Sequence, residues 1–259
     1  MTDLDLIYQK VSKLIKKSEL PAFAVFDFDN TCIVNDITEA TLAYMARHNL
    51  FKDKNLLGGK SEDTENEIYS KAIFDNYYNL LEENKVKEAY EFISQILSGF
   101  NINEVSPLID RVINFESKDI TTDKLFDREI AKGLKPREQI TGLINLLKSN
   151  GIEVWIITAS IEVLVKETVK YFNIQAKVIG VKNTIIDNTF TAQLEKPLSM
   201  FEGKVECIKK FIDPKKSPLL GAGDSIYDLP MLEYCKTKVV VDRKNALAAK
   251  AKENNWFLI

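Results

Sequence analysis

Histidine is nearly missing from this chain: His48 is the only one among 259 residues. A single imidazole on an amphipathic helical stretch reads as a surface or packing residue, not a metal ligand. It also leaves Cys32 with no base nearby in sequence, so that thiol reads as a small apolar filler rather than a nucleophile. The cysteines number 3 and lie far apart, at 32, 207 and 235, which argues against a disulfide framework and for free thiols in a reducing compartment. No apolar run approaches the ~18 residues that would span a bilayer. Lys and Arg are scattered and the formal charge is -3, so no footprint for nucleic acid or an anionic membrane is present. The stretch Met1-Thr-Asp-Leu-Asp5 is not a basic segment leading into an apolar one, and a cytoplasmic location is expected. Repeats and low-complexity segments are absent as well. What remains, at 45% hydrophobic and 28% charged, is the composition of an ordinary globular protein with one large or two modest domains.

The pattern is organised around Phe23-Ala-Val-Phe-Asp27-Phe-Asp29-Asn-Thr31. Ala22 to Phe26 is an unbroken apolar run, as in a strand buried on both faces of a parallel sheet. It stops at two acids spaced i, i+2, which extended backbone would point to the same side, with Phe28 opposite. Before it, residues 3–18 carry Leu6, Ile7, Val11, Leu14 and Ile15 at helical spacing, and Pro21 ends the helix. After it, Asp36-Ile-Thr-Glu39 resembles a capping box opening a helix to Arg47. From there to about residue 132, Glu, Lys, Asn and Tyr dominate, β-branched runs vanish and helical periodicity recurs, so an all-helical module is expected between Asn35 and Gly133. The α/β pattern then resumes. A helix is expected from Pro136 to Asn150, then a strand over Glu153–Thr158 and a helix capped by Ser160 running to Phe172. Further strands are expected at Lys177–Val181, Leu219–Ala222 and Lys238–Asp242. A hairpin falls over residues 183–195 and helices start at Gly203 and Asn245. Strand and helix alternating with crossover-length links imply an α/β fold with a parallel sheet sandwiched by helices.

Reactive side chains follow the strands. Asp27 and Asp29 end the first, Thr158-Ala-Ser160 the second, and Gly223-Asp224-Ser-Ile-Tyr-Asp228 the fourth, with Lys204 opening the helix before it. In a parallel sheet these points share one edge, where open α/β sheets bind ligands. Several acids, a hydroxyl and an amine without a soft ligand favour a hard divalent cation, Mg²⁺ above all. Singly, each has a bland reading: Thr158 satisfying backbone at a strand end, Lys204 solvated, Asp224 and Asp228 in a turn and a cap. The ordered set is harder to dismiss.

That set resembles the haloacid dehalogenase-like hydrolase superfamily. Asp27-Phe-Asp29-Asn-Thr31 is similar to its first motif, Thr158 to the second, Lys204 to the third and Asp224 with Asp228 to the fourth. The insertion resembles the cap of the group that includes phosphoserine and phosphocholine phosphatases. The resemblance implies a Rossmann-like core of residues 1–36 and 133–259 with a helical cap of residues 37–132. It implies Mg²⁺-dependent hydrolysis of a small phosphorylated metabolite through a phosphoaspartate. Asp27 would be the nucleophile and Asp29 the general acid and base. Asp27, Asp29 (through its carbonyl) and Asp224 would ligate the metal, with Asp228 beyond them. Thr158 and Lys204 would hold phosphoryl oxygens, and the protein would act as a monomer or homodimer.

For the substrate, Thr31, Glu39 and Ser160 are candidate contacts. The group often carries an acid near the position of Glu39 that meets a substrate amine. Tyr44, Phe74, Tyr77 and Tyr78 lie in the first half of the insertion. Aromatic faces with a carboxylate suit a cationic head group such as choline or ethanolamine, although aromatics at helical spacing also suit a core. Phosphoserine is the alternative, with Arg47 or Arg111 for its carboxylate. From another class, a receiver-like phospho-signalling domain uses similar groups, but it is roughly half this length and lacks a large insertion.

Overall fold

The computed structural model describes residues 3–17, 20–58, 65–116 and 118–259, without the side chains of residues 3–6 and 17. The side chain of Leu6, and Ser18 at the expected end of the first helix, therefore lie outside the described residues. In chain order the elements are α1 (Asp3–Lys17), β1 (Phe23–Phe26), β2 (Ile33–Val34), α2 (Ile37–Arg47), α3 (Asn66–Glu82), α4 (Val86–Ile93) and α5 (Ile102–Glu116). The hairpin β3 (Thr121–Leu125) and β4 (Arg128–Lys132) follows, then β5 (Lys135–Pro136), α6 (Glu138–Ser149), β6 (Glu153–Ile161), α7 (Glu162–Tyr171) and β7 (Lys177–Val181). The chain continues through β8 (Asn183–Ile186), β9 (Thr189–Leu194), α8 (Gly203–Phe211), β10 (Leu220–Gly223), α9 (Leu229–Tyr234), β11 (Thr237–Val240), α10 (Ala246–Glu253) and β12 (Phe257–Leu258).

Six of these strands form one parallel sheet in the order β12-β11-β10-β1-β6-β7. The apolar run of β1 is central, and its alternation explains why no polar residue interrupts it. Phe23 and Val25 pack with Cys207 and Ile208 of α8 and Met231 of α9, while Ala24 and Phe26 join the cluster that holds Val11 of α1 and Leu143 of α6. Both faces are covered, so every residue of the strand must be apolar. Burying each of these larger side chains is worth about 1.5–3 kcal/mol. On α1, Ile7, Val11 and Ile15 are buried at the spacing the sequence showed.

Several local expectations changed. Pro136 does not open a helix: it sits in β5, paired antiparallel with Ile33 of β2, and α6 begins at Glu138. The two short strands clamp together the places where the inserted segment leaves and rejoins the sheet. The strand carrying Thr158 runs on to Ile161, and Ser160 is not a helix cap. The register with β7 shifts between Ile157 and Ile161, and this bulge re-aims the Thr158–Ser160 stretch. Asp36 does cap α2, accepting from Thr38 N at 2.7 Å and Glu39 N at 2.9 Å. Glu39 does not complete a box, because its carboxylate accepts from Tyr77 Oη at 2.6 Å.

Among the described residues, the inserted segment carries four helices joined by turns and ends in the β3–β4 hairpin, so it is not all-helical. Only Leu125 and Ile130 of that hairpin are buried, and its turn residue Phe126 adopts φ 52 where Gly or Asn would be usual. Such a polar hairpin carries almost no alternation to be read.

Candidate active site

The carboxyl end of β1 makes its last ladder bond from Asp27 N to Ala222 O, at 2.9 Å. Beyond it the chain turns tightly, with Cys32 N donating to Phe28 O at 2.7 Å and Asn30 in the left-handed region at φ 58. Phe28 is fully buried below, while Asp27 and Asp29 both face a cavity of about 240 Å³ at this edge of the sheet. The side-chain thiol of Cys32 donates to Asp27 O at 3.1 Å and burial pushes its pKa up, as befits a packed thiol rather than a nucleophile.

Lys204, at the start of α8, reaches the same floor. Its Nζ lies 2.7 Å from Asp27 Oδ1 and 2.6 Å from Asp228 Oδ1, and it is 3% exposed. Burial works against its charge, but Asp228 and Asp27 outweigh this and raise its pKa. A lysine ordinarily depresses a neighbouring carboxylate. Asp27 is nevertheless raised well above the usual range, first by its burial and then by the facing Asp228. Asp228 is fixed in turn by Asp224 N and Ser225 N, each 3.1 Å from its Oδ2. Gly223 allows this close approach, since a Cβ there would meet the Asp228 side chain at 2.7 Å.

Asp224 accepts from Thr31 Oγ1 at 3.2 Å and from Arg243 Nη1 at 2.7 Å. Burial raises its pKa, with Asp228 adding to the rise. Carboxylate oxygens of Asp27, Asp224 and Asp228 lie within 4.8 Å of one another. Three buried, mutually repelling carboxylates with oxygen donors alone fit a hard divalent cation such as Mg²⁺.

The Asp29 carboxylate turns away from that group. It accepts from Ile37 N at 2.8 Å, Ser160 Oγ at 2.6 Å and Thr158 Oγ1 at 3.3 Å. Burial lifts its pKa to about 6 and the three donors restrain the rise. The bulge in β6 thus serves to bring two hydroxyls onto one carboxylate, and Ser199 Oγ braces the Thr158 carbonyl from behind at 2.6 Å.

Asp27, Asp29, Thr158, Ser160, Lys204, Asp224 and Asp228 all line the cavity. Thr31 is fully buried behind Asp224 and does not. Nor does Glu39, which borders a small recess behind, with Ala43 and Tyr78. Of the expected aromatics, Tyr77 lines the cavity, Phe74 packs with Tyr78 and Phe126, and Tyr44 packs with His48 and Phe115. Arg47 pairs with Asp123 at 2.7 Å and Arg111 is exposed on α5. Sequence reasoning missed Asp36, Tyr90, Phe201, Tyr227 and Arg243, all of which line the cavity. Asp36 was legible only as a cap, and Arg243 carries no motif.

A family model described as haloacid dehalogenase-like hydrolase matches residues 24–233. A phosphorylcholine phosphatase of Pseudomonas aeruginosa is 28% identical over 244 residues, covering 79% of this chain and 68% of that protein. Among solved structures, a protein of unknown function from Anaerococcus prevotii aligns over 100% of this chain and 94% of its own, with a TM-score of 0.75 and 22% identity. A substrate-bound phosphoserine phosphatase aligns over 93% and 94%, with a TM-score of 0.57 and 16% identity, which speaks to the fold alone.

Proposed function

Because this chain belongs to the haloacid dehalogenase-like hydrolase family, we propose that it is a Mg²⁺-dependent phosphatase acting on a small phosphomonoester through a phosphoaspartate on Asp27. The observation that carries this reading is the buried Asp27 carboxylate, 2.7 Å from Lys204 on the floor of a half-open cavity. Asp27 attacks phosphorus, the bond to the leaving oxygen breaks, and the departing alkoxide takes a proton from Asp29. Asp29, with a pKa of about 6, then removes a proton from the water that cleaves the acyl phosphate. Lys204 steadies Asp27 and offsets charge gathering on the phosphoryl oxygens, and the Thr158 hydroxyl donates to them. Asp27, Asp224 and the Asp29 carbonyl would hold Mg²⁺, with Asp228 beside them, and the bound ion would supply positive charge against the repulsion between carboxylate and phosphate.

The receiver-like alternative does not survive the family match. Asp27→Asn should abolish turnover of an aryl phosphate while the protein still melts cooperatively, and EDTA should do the same reversibly. Metal-stripped enzyme that works as fast as the Mg²⁺-loaded form would refute the mechanism.

For the leaving group, a cationic amine such as choline or ethanolamine is supported by the lining: Tyr77, Tyr90, Phe201 and Tyr227 with the carboxylate of Asp36. Asp36 takes the place expected of Glu39. Asp36→Asn keeps the helix cap and should lower the efficiency on phosphocholine relative to glycerol phosphate about tenfold, equivalent to about 1.4 kcal/mol. Phosphoserine remains the second reading, favoured by Arg243 in the same lining. Residues 37–132 would form a mobile cap that excludes water and selects the leaving group, hinged at Asn35 and Gly133.

A further inference from the structure

One wall of the cavity is shared with a second space. Met200, Phe201 and Tyr227 line both the cavity and an open groove of about 1080 Å³ that runs past the start of α4 and along α8. The groove has a mixed lining that carries Lys87, Lys196, Lys209 and Lys210. What separates the two is a trio of rings. Tyr90 of α4 stacks on Phe201 with centroids 6.0 Å apart and planes 18° from parallel, and it meets Tyr227 edge-on at 6.2 Å. Phe201 meets Tyr227 edge-on at 5.3 Å. Tyr90 belongs to the inserted segment, whereas Phe201 and Tyr227 belong to the α/β core, so the wall exists only while the two are in contact.

The backbone at Phe201 is unusual. Its φ is 52, a left-handed conformation that a bulky L residue adopts only under constraint. The turn carrying it joins the end of the β8–β9 excursion to Lys204, and its consequence is a ring set between cavity and groove rather than in solvent. Pockets for drug-sized ligands run to roughly 300–1,000 Å³. A chamber of about 240 Å³ therefore accepts a phosphoryl group and a leaving group of a few atoms, while the space behind the wall would take a nucleoside.

We propose that Tyr90, Phe201 and Tyr227 are the specificity-determining residues for leaving-group size, forming a barrier that keeps the chain on small phosphomonoesters and shuts larger ones out of the adjoining groove. The proposal rests on the phosphatase reading above. It concerns size and not charge, so its test uses esters whose leaving groups are neutral.

Two single variants on different elements decide it, so failure of one to fold leaves the other. Tyr90→Ala removes the ring from α4. Phe201→Asn removes the ring but keeps a residue that tolerates the left-handed region, so the turn survives. Efficiency is compared on glycerol phosphate and on a nucleoside 5′-monophosphate, with melting temperature and the Mg²⁺ dependence of melting as checks on fold and floor. The unaltered protein should prefer glycerol phosphate, and each folded variant should shift the ratio toward the nucleotide by at least about tenfold, the scale on which pocket walls discriminate. A ratio within about twofold of the unaltered protein's, in a variant that still melts cooperatively and responds to Mg²⁺, overturns the size barrier alone. An unaltered protein that hydrolyses neither ester nor an aryl phosphate overturns the phosphatase reading and the barrier with it.

Discussion

Lys204 stands 2.7 Å from Asp27 and 2.6 Å from Asp228, with all three side chains buried. A buried ion cluster of this kind contributes little net stability against an apolar replacement of the whole set, but removal of one partner leaves charges facing each other in a poor solvent. Lys204→Met should therefore cost about 3–5 kcal/mol in urea unfolding at pH 7.5 without metal. The loss should shrink at pH 5, where Asp27, its pKa raised by burial, can take up a proton instead. Equal losses at both pH values would show that the lysine acts through its packing. Asp29 differs from this cluster in being bound by neutral donors from Thr158, Ser160 and Ile37 N. With its pKa lifted to about 6, Asp29 has both protonation states within reach near neutrality, as the proposed acid-then-base role requires.

At the scale of elements, the junction between sheet and insertion is built from β2, β5 and polar contacts at Asn35 and Gly133. Asn35, at φ 65, donates from Nδ2 to Gly133 O at 2.9 Å, and Gly133 N donates to Glu116 Oε2 at 2.8 Å. Gly133 has φ 99, and a Cβ there would meet Asp119 O at 2.2 Å. Gly133→Ala must strain the turn or displace the segment before β3, so it should destabilise by about 1–3 kcal/mol in denaturant unfolding. If residues 37–132 move as a cap, their amides should exchange faster than those of β1 and β10 and slow when a phosphate analogue binds. Equal protection of insertion and sheet, unchanged by the analogue, would show one rigid unit instead.

For the whole molecule, the buried acids set the pH response. Burial raises the pKa of Asp27, Asp29, Asp36, Glu39 and Asp224. A carboxyl whose folded pKa exceeds its unfolded one favours the folded state fully below the unfolded value, about 4, and loses that contribution as pH rises through the folded value. With Asp29 at about 6, its share of the decline begins near pH 4 and is complete just above pH 6. Lys204, also raised, keeps its contribution throughout, because it changes only above its ordinary value of about 10.5. Partly exposed acids held low by partners, such as Glu104 and Asp213, lose their contribution only as pH falls below their ordinary values of 4.5 and 3.8. Metal-free protein should melt at a lower temperature at pH 7.5 than at pH 5, and Mg²⁺ should restore the difference at pH 7.5. A flat profile, indifferent to Mg²⁺, would show that these carboxylates carry no net charge strain.

The convergence of Asp27, Thr158, Lys204, Asp224 and Asp228 was determined by the sequence itself. Each follows or precedes an apolar strand, and parallel strands joined by right-handed crossovers put their carboxyl ends on one edge. Order along the chain therefore becomes proximity in space without any knowledge of distances. The rest of the cavity has no such rule. Asp36, Tyr90, Phe201, Tyr227 and Arg243 come from a helix cap, a helix of the insertion, a short 3-10 turn and two loops. Their meeting depends on how the insertion docks on the sheet. Glu39 illustrates the difference: one turn into α2 it has left the cavity and bonds to Tyr77, while the cap residue Asp36 lines it. The β3–β4 hairpin was hidden because two buried apolar residues in twelve positions leave no periodicity to detect. Local pattern and topology fixed the cavity floor; the walls were decided by tertiary packing, where the phase of a helix and the aim of one strained turn determine which side chains face the void.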